Sequence, residues 1–260
     1  MGIQCLQSFQ QKKMLTSNSY AVVLGATGGI GQVICRQLAA SGWSIYLHYN
    51  ERETEAKELQ SELKSLYPGL DFIIVQADFL QHDGAQVLAG KVRRVRAVVV
   101  ANGQSMYKLL TETTARDMDG LWKVHMQNPA QFIGLVSSQL RNFDTMAAYV
   151  VFIGSIWGNT GAAGEVMYSA VKGAQHAFVK AYAKEAAYSR IRVNAVAPGW
   201  IETRMNDTIP EDEKQLVIEE IPLMTTGTPQ NVADTVDFLL SGKADYVTGE
   251  ILKVNGGWYI

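Results

Sequence analysis

Short apolar runs alternate with longer segments of helical periodicity along most of this chain. The apolar runs are mostly rich in Val and Ile and alternate only weakly with polar residues. Strands that are buried on both faces of a parallel sheet have this pattern. The predicted strands are Tyr20–Leu24, Ser44–His48, Phe72–Gln76, Ala97–Ala101, Tyr149–Ile153, Ile191–Ala197 and Ile251–Val254.

The segments between these runs repeat their apolar residues at helical spacing. Alternating strands and helices predict an α/β fold, here a single-domain doubly wound parallel sheet of Rossmann type, with about seven strands and helices on both faces. Ligands of such sheets bind at the carboxyl ends of the strands, near the switch point in strand order. The predicted helices are Gly29–Ala40, Glu53–Tyr67, Asp117–Arg141, Val166–Tyr188 and Pro229–Leu240.

Three other segments complete the predicted organisation. Met1–Ser19 is polar, Gln-rich and without an apolar h-region, which predicts a flexible extension rather than a signal peptide, with Met14 as an alternative start. Residues 20–260 are predicted to form the dinucleotide-binding catalytic domain. Only Leu80–Arg96 separates the third and fourth strands, so the helix between them must be short. Ile201–Thr228 has mixed charge and no strand-like run, which predicts a helical substrate flap.

Composition narrows the classes of function. The net charge of −2 and the pI of about 6.1 do not favour nucleic acid or an anionic membrane as a partner. Two scattered cysteines, Cys5 and Cys35, and four scattered histidines predict neither a disulfide framework nor a metal site. Cys35 falls on an apolar helical face, and the basic stretch Lys91–Arg96 is interpreted as a solvated connector. A cytoplasmic enzyme is the resulting expectation.

A glycine-rich turn follows the first predicted strand and opens the first predicted helix. Its glycines are Gly25, Gly28, Gly29 and Gly31. Such a turn lets the backbone approach a pyrophosphate, whose charge the helix N-terminus stabilises. A purely structural loop is the alternative, and the flanking strand and helix favour the dinucleotide interpretation.

Tyr168 and Lys172 lie four residues apart on a predicted helix and therefore share one face. A phenol is a poor acid–base group at neutral pH unless a nearby cation lowers its pKa, and Lys172 offers that cation. An ordinary surface pair is the alternative. Ser155 follows the fifth strand, so its hydroxyl is expected beside the phenol. Asn194 and Pro198-Gly199 accompany the next strand.

With these pieces in this order, the chain resembles the short-chain dehydrogenase/reductase family from Tyr20 to Trp258. The matching pieces are the glycine turn, Asp78 after the third strand, Ala101-Asn102-Gly103 after the fourth, the Ser155, Tyr168 and Lys172 set, Pro198-Gly199-Trp-Ile201-Glu-Thr203, and the tail Val254-Asn-Gly-Gly257.

The resemblance implies a role for each catalytic residue. Tyr168 would protonate the carbonyl oxygen, Ser155 would hold that oxygen, and Lys172 would bind the nicotinamide ribose and lower the pKa of Tyr168. Thr203 and the Ile201 backbone would hold the carboxamide. Asp78 would contact the adenine. The predicted cofactor-binding residues are Gly25, Thr27, Gly29, Ile30, Gly31, Asn50, Arg52, Asp78, Phe79, Asn102, Gly103, Tyr168, Lys172, Pro198, Gly199, Ile201 and Thr203.

Three positions depart from the family's pattern. Leu24 stands where a Thr usually begins the glycine motif, and Val100-Ala101-Asn102-Gly103 replaces Asn-Asn-Ala-Gly. His125 occupies the place of a frequent catalytic Asn, when the chain is aligned on Pro129. Two interpretations of His125 stay open: it fills the space, or its ring keeps an ordered water that links Lys172 to solvent.

The end of the second strand bears on the choice of cofactor. NAD-specific members usually place an acid there to grip the 2′-hydroxyl of the ribose. Here His48-Tyr49-Asn50-Glu51-Arg52 has no acid at the strand tip, and Arg52 can pair with a 2′-phosphate. NADPH is therefore predicted, with Glu51 as the argument for NADH.

Two carbonyl substrates and one non-catalytic function stay open. One substrate is a 3-oxoacyl group on an acyl carrier protein, as in 3-oxoacyl-acyl-carrier-protein reductases. An acidic carrier needs a basic landing patch, yet Leu140–Ala148 has only Arg141 against Asp144. Ser155-Ile-Trp157-Gly, Gly164–Ser169, His125 and Leu47–Asn50 instead resemble reductases of the 5-aminopentanone modification on elongation factor P. A non-catalytic dinucleotide-binding regulator is the third alternative.

Trp157 and Glu165 are the predicted substrate residues. Glu165 precedes the catalytic helix, where the helix dipole favours a carboxylate; pairing with a cationic substrate group is the functional alternative. The resemblance also implies a homotetramer built on the two long helices. The apolar residues that fit such an interface, or that alternatively pack on the sheet, are Phe178, Val179, Tyr182 and Ala186.

Overall fold

One seven-stranded parallel sheet organises the molecule. The computed structural model describes residues 19–141, 143, 146–203 and 210–260. The strand order is β3-β2-β1-β4-β5-β6-β7, so the switch point falls between β1 and β4. The strands are β1 (Tyr20–Leu24), β2 (Ser44–Tyr49), β3 (Phe72–Gln76), β4 (Val95–Val100), β5 (Ala148–Ile153), β6 (Ile191–Pro198) and β7 (Ile251–Val254).

Helices connect successive strands and cover both faces of the sheet. They are α1 (Gly29–Ala40), α2 (Glu53–Leu66), α3 (Gly84–Lys91), α4 (Ala115–Trp122), α5 (Asn128–Leu140), α6 (Trp157–Thr160), α7 (Val166–Ala186), α8 (Glu211–Glu220) and α9 (Pro229–Leu240). A π-turn over Lys123–Gln127 joins α4 to α5, and 3₁₀ turns form at Leu110–Glu112 and Ala187–Ser189.

The core has two halves, one on each face of the sheet. Successive side chains of a strand point to opposite faces, so Ala21 and Val23 of β1 pack in one half and Val22 and Leu24 in the other. Helices α1, α2 and α9 cover the first half, while α3, α5 and α7 cover the second. The predicted doubly wound fold is confirmed, and α3 is short, as the spacing requires.

The long helix predicted at Asp117–Arg141 is interrupted. It begins earlier, at Ala115, because the Thr114 side chain accepts a hydrogen bond from the Asp117 amide in a capping box. The π-turn at Lys123–Gln127 then breaks the regular ladder, and α5 ends at Leu140. Such turns recur at functional sites, and this one carries His125.

Of two smaller sequence predictions, the one for Cys35 is confirmed and the one for the basic stretch Lys91–Arg96 is wrong in part. Cys35 is fully buried in α1, as predicted, and Cys5 lies outside the described residues. The basic stretch before β4 is not wholly solvated, because Arg96 lies within the strand and is buried. Its guanidinium stands over the rings of Trp43 and Tyr149, at 5.2 and 5.7 Å from their centroids, which compensates its charge.

The predicted extension and flap are only partly described. Residues 1–18 and 204–209 lie outside the described residues, as does Asp144. Helix α8 occupies the middle of the predicted flap, and Ile201 forms an isolated parallel bridge with Gly227, a short pairing that the sequence did not indicate. In the described part of the chain, no helix has both the length and the apolar character needed to span a bilayer.

Candidate active site

The turn between β1 and α1 packs directly against the segment that follows β4. Gly25 has a φ of +74°, and a Cβ there would lie 2.6 Å from the Asn102 Cα. A Cβ at Gly31 would overlap the Gly25 carbonyl oxygen, which lets α1 start close beneath the turn. Both positions therefore require glycine. The turn and the β4 segment meet at the switch point of the sheet, where a dinucleotide binds in this architecture.

The N-terminus of α1 has the features of a phosphate site. Gly28 is its N-cap, no acidic side chain stands in the first turn, and the terminal amides are not capped by a side chain. A Cβ at Gly29 would lie 3.2 Å from the Thr203 side chain, so Thr203 closes over this end of the helix. Thr27 is buried, and Ile30 packs on the core. These residues fit a pyrophosphate-containing cofactor.

His48 ties the glycine turn to the end of β3. The Gly25 N–H donates to His48 Nδ1 at 3.1 Å, so Nε2 carries the proton and donates to the Ala77 oxygen at 3.1 Å. The ring stacks on Phe79 at 4.8 Å. Burial lowers the pKa of His48 to about 4, which keeps this tautomer neutral. This role of His48 was not predicted from the sequence; the available signal was a polar residue inside an apolar strand, because buried polar atoms need partners.

The residues predicted to bind the adenine end of the cofactor follow β2 and β3. The Asp78 carboxylate accepts hydrogen bonds from the Leu80 N–H at 2.8 Å and the Gln81 amide at 3.0 Å. The Asn50 oxygen accepts from Gln76 at 3.3 Å. Arg52, at the N-cap of α2, is exposed and forms no ion pair with any other described residue. Its guanidinium is thus available to an anionic ligand.

Ser155, Tyr168 and Lys172 come together at the carboxyl end of β5. Ser155 is buried, accepts a hydrogen bond from the Trp157 N–H at 3.2 Å, and hydrogen-bonds with the Tyr168 phenol. Lys172 Nζ donates to the Ile153 oxygen at 2.8 Å and lies 5.5 Å from the centre of the Tyr168 ring. The expected proximity is present because β5 ends where α7 begins.

The pKa of Tyr168 does not follow the sequence prediction. Burial raises the pKa of this phenol, the Glu165 carboxylate raises it further, and the hydrogen bond with Ser155 acts in the opposite direction. Lys172 is itself buried, which lowers its pKa to about 7, so its cationic charge is only partly present at neutral pH. Tyr168 therefore keeps its proton at neutral pH, as a proton donor must.

His125 faces Tyr168 from the π-turn. The two rings meet edge to face at 5.7 Å, and burial lowers the pKa of His125 to about 3, so the ring is neutral. Its Nε2 lies 3.0 Å from the Gln104 oxygen, while the buried Nδ1 has no partner among the described residues. A Cβ at Gly103 would lie 2.7 Å from the ring. His125 is tightly packed, which agrees with a space-filling role. Its Nδ1 has no hydrogen-bond partner among the described residues, which agrees with binding of an ordered water, so both interpretations stay open.

Strand β6 and the segment that follows it contact the turn after β5 and strand β7. The Pro198 oxygen accepts from the Ile156 N–H at 3.1 Å, and the Gly199 N–H donates to the Val254 oxygen at 3.0 Å. The Asn194 side chain bridges β6 to the segment before β7, through the Val247 oxygen and the Glu250 amide. Asn194 therefore supports the sheet rather than the reacting centre. In the described ranges, no cluster of His, Cys, Asp and Glu side chains could hold a metal.

The two predicted substrate residues flank the catalytic set. Glu165 is the N-cap residue of α7, yet its side chain makes no capping hydrogen bond. It is half-buried, and burial raises its pKa. The Trp157 ring packs against Trp258 and Tyr259, with centroid distances of 5.2 and 5.4 Å. These two aromatic residues next to the site were not predicted from the sequence.

Comparison with known proteins places the chain among oxidoreductases. A family model described as enoyl-(acyl carrier protein) reductase matches residues 25–259. The uncharacterized oxidoreductase YmfI of Bacillus subtilis is 42% identical over 93% of this chain and 99% of its own length. The 3-oxoacyl-[acyl-carrier-protein] reductase FabG of Staphylococcus epidermidis is 31% identical over 94% and 100%, respectively. The chain belongs to the short-chain dehydrogenase/reductase family.

Solved structures of this family share the fold. A short-chain dehydrogenase/reductase named glucose/ribitol dehydrogenase, from Brucella melitensis, has a TM-score of 0.86 at 27% identity, over 94% of this chain and 98% of that one. A blue fluorescent protein from a metagenomic library, in complex with NADPH, has a TM-score of 0.84 at 26% identity, over 94% and 99%. As a short-chain dehydrogenase/reductase, the chain is an NAD(P)-dependent oxidoreductase.

Proposed function

We propose that this chain reduces a ketone to a secondary alcohol with NADPH. The observation that carries the proposal is the grouping of Ser155, Tyr168 and Lys172 at the carboxyl end of β5, with Lys172 Nζ 5.5 Å from the centre of the Tyr168 ring. Bound NADPH supplies the hydride. Tyr168 donates its proton to the carbonyl oxygen, and Ser155 orients that oxygen by a hydrogen bond. Lys172, fixed by the Ile153 oxygen, would hold the ribose hydroxyls of the bound cofactor.

The preference for NADPH is supported by the end of β2. Arg52 is exposed and forms no ion pair with another described residue, so its guanidinium is free to pair bidentately with a 2′-phosphate. A 2′-hydroxyl offers no charge to that group. The NADPH in the related blue fluorescent protein is consistent with this choice.

A 3-oxoacyl group on an acyl carrier protein is one candidate substrate, supported by the relatives that are named 3-oxoacyl-[acyl-carrier-protein] reductase. The surface charges give this candidate less support. Lys108, whose backbone N–H contacts Gly164 beside the catalytic helix, is paired with Asp117 at 2.7 Å, and Lys123 with Asp119 at 2.7 Å. These neutralised lysines make a poor landing patch for an acidic carrier.

A ketone that bears an amine is the second candidate, represented by the 5-aminopentanone modification on elongation factor P. Glu165 favours it. This half-buried carboxylate has no hydrogen-bond or ion-pair partner among the described residues, and it lies close enough to Tyr168 to raise the pKa of the phenol. A buried charge without a partner is costly, and an ammonium group of the substrate would compensate it.

The test is a reduction assay on the purified chain, which follows NADPH oxidation with three substrates. They are an acetoacetyl thioester, elongation factor P carrying the 5-aminopentanone group, and a neutral ketone of similar length. We expect the amine-bearing ketone to have the highest kcat/KM. A higher value for the thioester would favour the carrier-protein function instead. Failure to oxidise NADPH with any ketone would overturn the reductase proposal in favour of a non-catalytic dinucleotide-binding protein.

A further inference from the structure

A third apolar cluster lies apart from the two halves of the main core. Its buried members are Ile156, Ile221 and Trp258, and the partly buried side chains of Trp157, Trp200 and Val217 pack around them. The residues come from four segments that are distant in the sequence: the turn after β5, the turn after β6, helix α8 with its C-terminal end, and the C-terminus of the chain. We call it the C-terminal cluster.

Trp258 is the centre of this cluster. Only 7% of its surface is exposed, and its ring lies 5.2 Å from Trp157 and 5.0 Å from Tyr259. Its indole N–H donates to Glu220 of α8 at 3.3 Å. The Leu223 N–H donates to the Gly256 oxygen at 3.1 Å, so the end of α8 and the C-terminal tail are fastened together at two points.

The cluster adjoins the reacting centre through Trp157. The Trp157 N–H donates to Ser155 Oγ, the atom that also hydrogen-bonds with Tyr168. The neighbouring Ile156 is buried in the cluster and bonds to the Pro198 oxygen. Trp157 is therefore bonded to the group that orients the carbonyl oxygen, and the rings of Trp258 and Tyr259 pack against the Trp157 ring.

We propose that Trp258 and Tyr259 are specificity-determining residues, which form with Trp157 an aromatic wall beside Ser155. This inference rests on the proposed ketone reduction. Edge-to-face and tilted aromatic contacts fix the three rings relative to one another, so the wall cannot move aside for a bulky substituent. Its apolar faces favour a slender, unbranched carbon chain on one side of the ketone and disfavour branched or aryl groups.

The experiment uses an unbranched methyl ketone and an aryl methyl ketone, with kcat/KM for each and a dissociation constant from quenching of tryptophan emission. Trp258→Leu and Tyr259→Leu remove a ring of the wall. Trp258→Phe keeps one aromatic ring and removes the second ring of the indole together with its N–H bond to Glu220. Tyr246→Leu is the matched control, because Tyr246 is a fully exposed aromatic residue after α9, outside the C-terminal cluster.

In both Leu variants we expect the aryl-to-unbranched ratio of kcat/KM to rise about ten-fold or more, mainly through KM, while NADPH binding is retained. Tyr246→Leu should keep the wild-type ratio, and Trp258→Phe, which keeps one ring of the wall, should have a ratio closer to the wild type than Trp258→Leu has. An unchanged ratio in Tyr259→Leu, whose side chain is 41% exposed and safe for folding, would overturn the proposal, as would a Trp258→Phe ratio equal to that of Trp258→Leu.

The binding measurement separates this inference from the reductase proposal. A wild-type chain that binds the two ketones with different affinities but reduces neither would overturn the proposed reaction and leave the wall supported, provided that the Leu variants lose the difference. A wild-type chain that binds neither ketone would overturn both.

Discussion

Lys172 Nζ lies 5.5 Å from the centre of the Tyr168 ring, yet its hydrogen bond goes to the Ile153 backbone oxygen. The lysine is therefore held by strand β5 and not by the phenol hydroxyl. Because the two side chains are positioned by the backbone independently, the hydroxyl can be removed without releasing Lys172. This makes the proton-transfer role of Tyr168 separable from the role of Lys172 in binding.

Tyr168→Phe should nearly abolish reduction while NADPH binding stays within a few-fold of the wild type. The phenol gives up its proton only in the transition state, so its loss falls on kcat. Steady-state kinetics and NADPH fluorescence titration measure the two effects. Tyr188→Phe, at a fully exposed residue just beyond α7, is the control. If Tyr168→Phe keeps most of the wild-type kcat, another group donates the proton.

Glu165→Gln should act on one class of substrate. For a ketone with an ammonium group, kcat/KM should fall about ten-fold or more, because a partly desolvated ion pair is lost. A neutral ketone should be unaffected or slightly improved, since the carboxylate no longer raises the pKa of Tyr168. Glu185→Gln, exposed on the same helix, controls for the loss of a charge. If kcat/KM falls equally for both substrates, Glu165 does not bind the ammonium group and only positions Tyr168.

Arg52→Ala should raise the KM for NADPH far more than the KM for NADH. Only NADPH carries the 2′-phosphate with which the exposed guanidinium would pair. Initial rates with both cofactors give the two values, and Lys64→Ala at the end of α2 serves as the control for a lost cation. Equal effects on the two cofactors would show that Arg52 does not reach the phosphate.

Acid should destabilise the protein through its buried histidines. Burial lowers the pKa of His48 and His176 to about 4 and that of His125 to about 3. Above about pH 6.5 they are neutral in both states, so the effect vanishes. Below pH 6.5 the unfolded chain binds protons at these histidines and the folded chain does not. The free energy of unfolding therefore decreases as the pH falls toward 4. At pH 5.5 the loss of stability is about 1 kcal/mol for each histidine.

Urea unfolding at pH 7.5 and 5.5 measures this loss. His48→Asn should flatten the pH dependence by the contribution of one histidine, whatever it does to the absolute free energy of unfolding. His82→Asn, at the one exposed histidine of the four, is the matched control for the substitution. A pH dependence that His48→Asn does not alter would mean that His48 titrates alike in both states.

The homotetramer stays a prediction, with a smaller set of interface residues. Val179 and Ala186 are buried in the chain's own core under α7, so they pack on the sheet. Phe178 and Tyr182 are only partly covered and remain available to a second copy. Multi-angle light scattering should give four times the chain mass of 28.6 kDa. A stable monomer at micromolar concentration would contradict the prediction.

The sequence by itself determined the features that local pattern controls. The Val- and Ile-rich run Tyr149–Ile153 became part of a fully buried strand, and the helices Gly29–Ala40 and Pro229–Leu240 have the predicted bounds. The glycine turn and the Tyr168–Lys172 spacing were also predicted from the sequence. Periodicity and turn chemistry act over a few residues, so they leave a direct trace in the chain.

Only the tertiary structure decided the properties that depend on surrounding groups. The pKa of Tyr168 is raised rather than lowered, because burial and the Glu165 carboxylate outweigh the hydrogen bond with Ser155. The π-turn under His125 has no local signature, and no local pattern identifies Gly25 as the partner of His48. Trp157 and Trp258 meet from positions about a hundred residues apart. Desolvation and long-range packing are set by what the fold brings together, and no sequence window contains them.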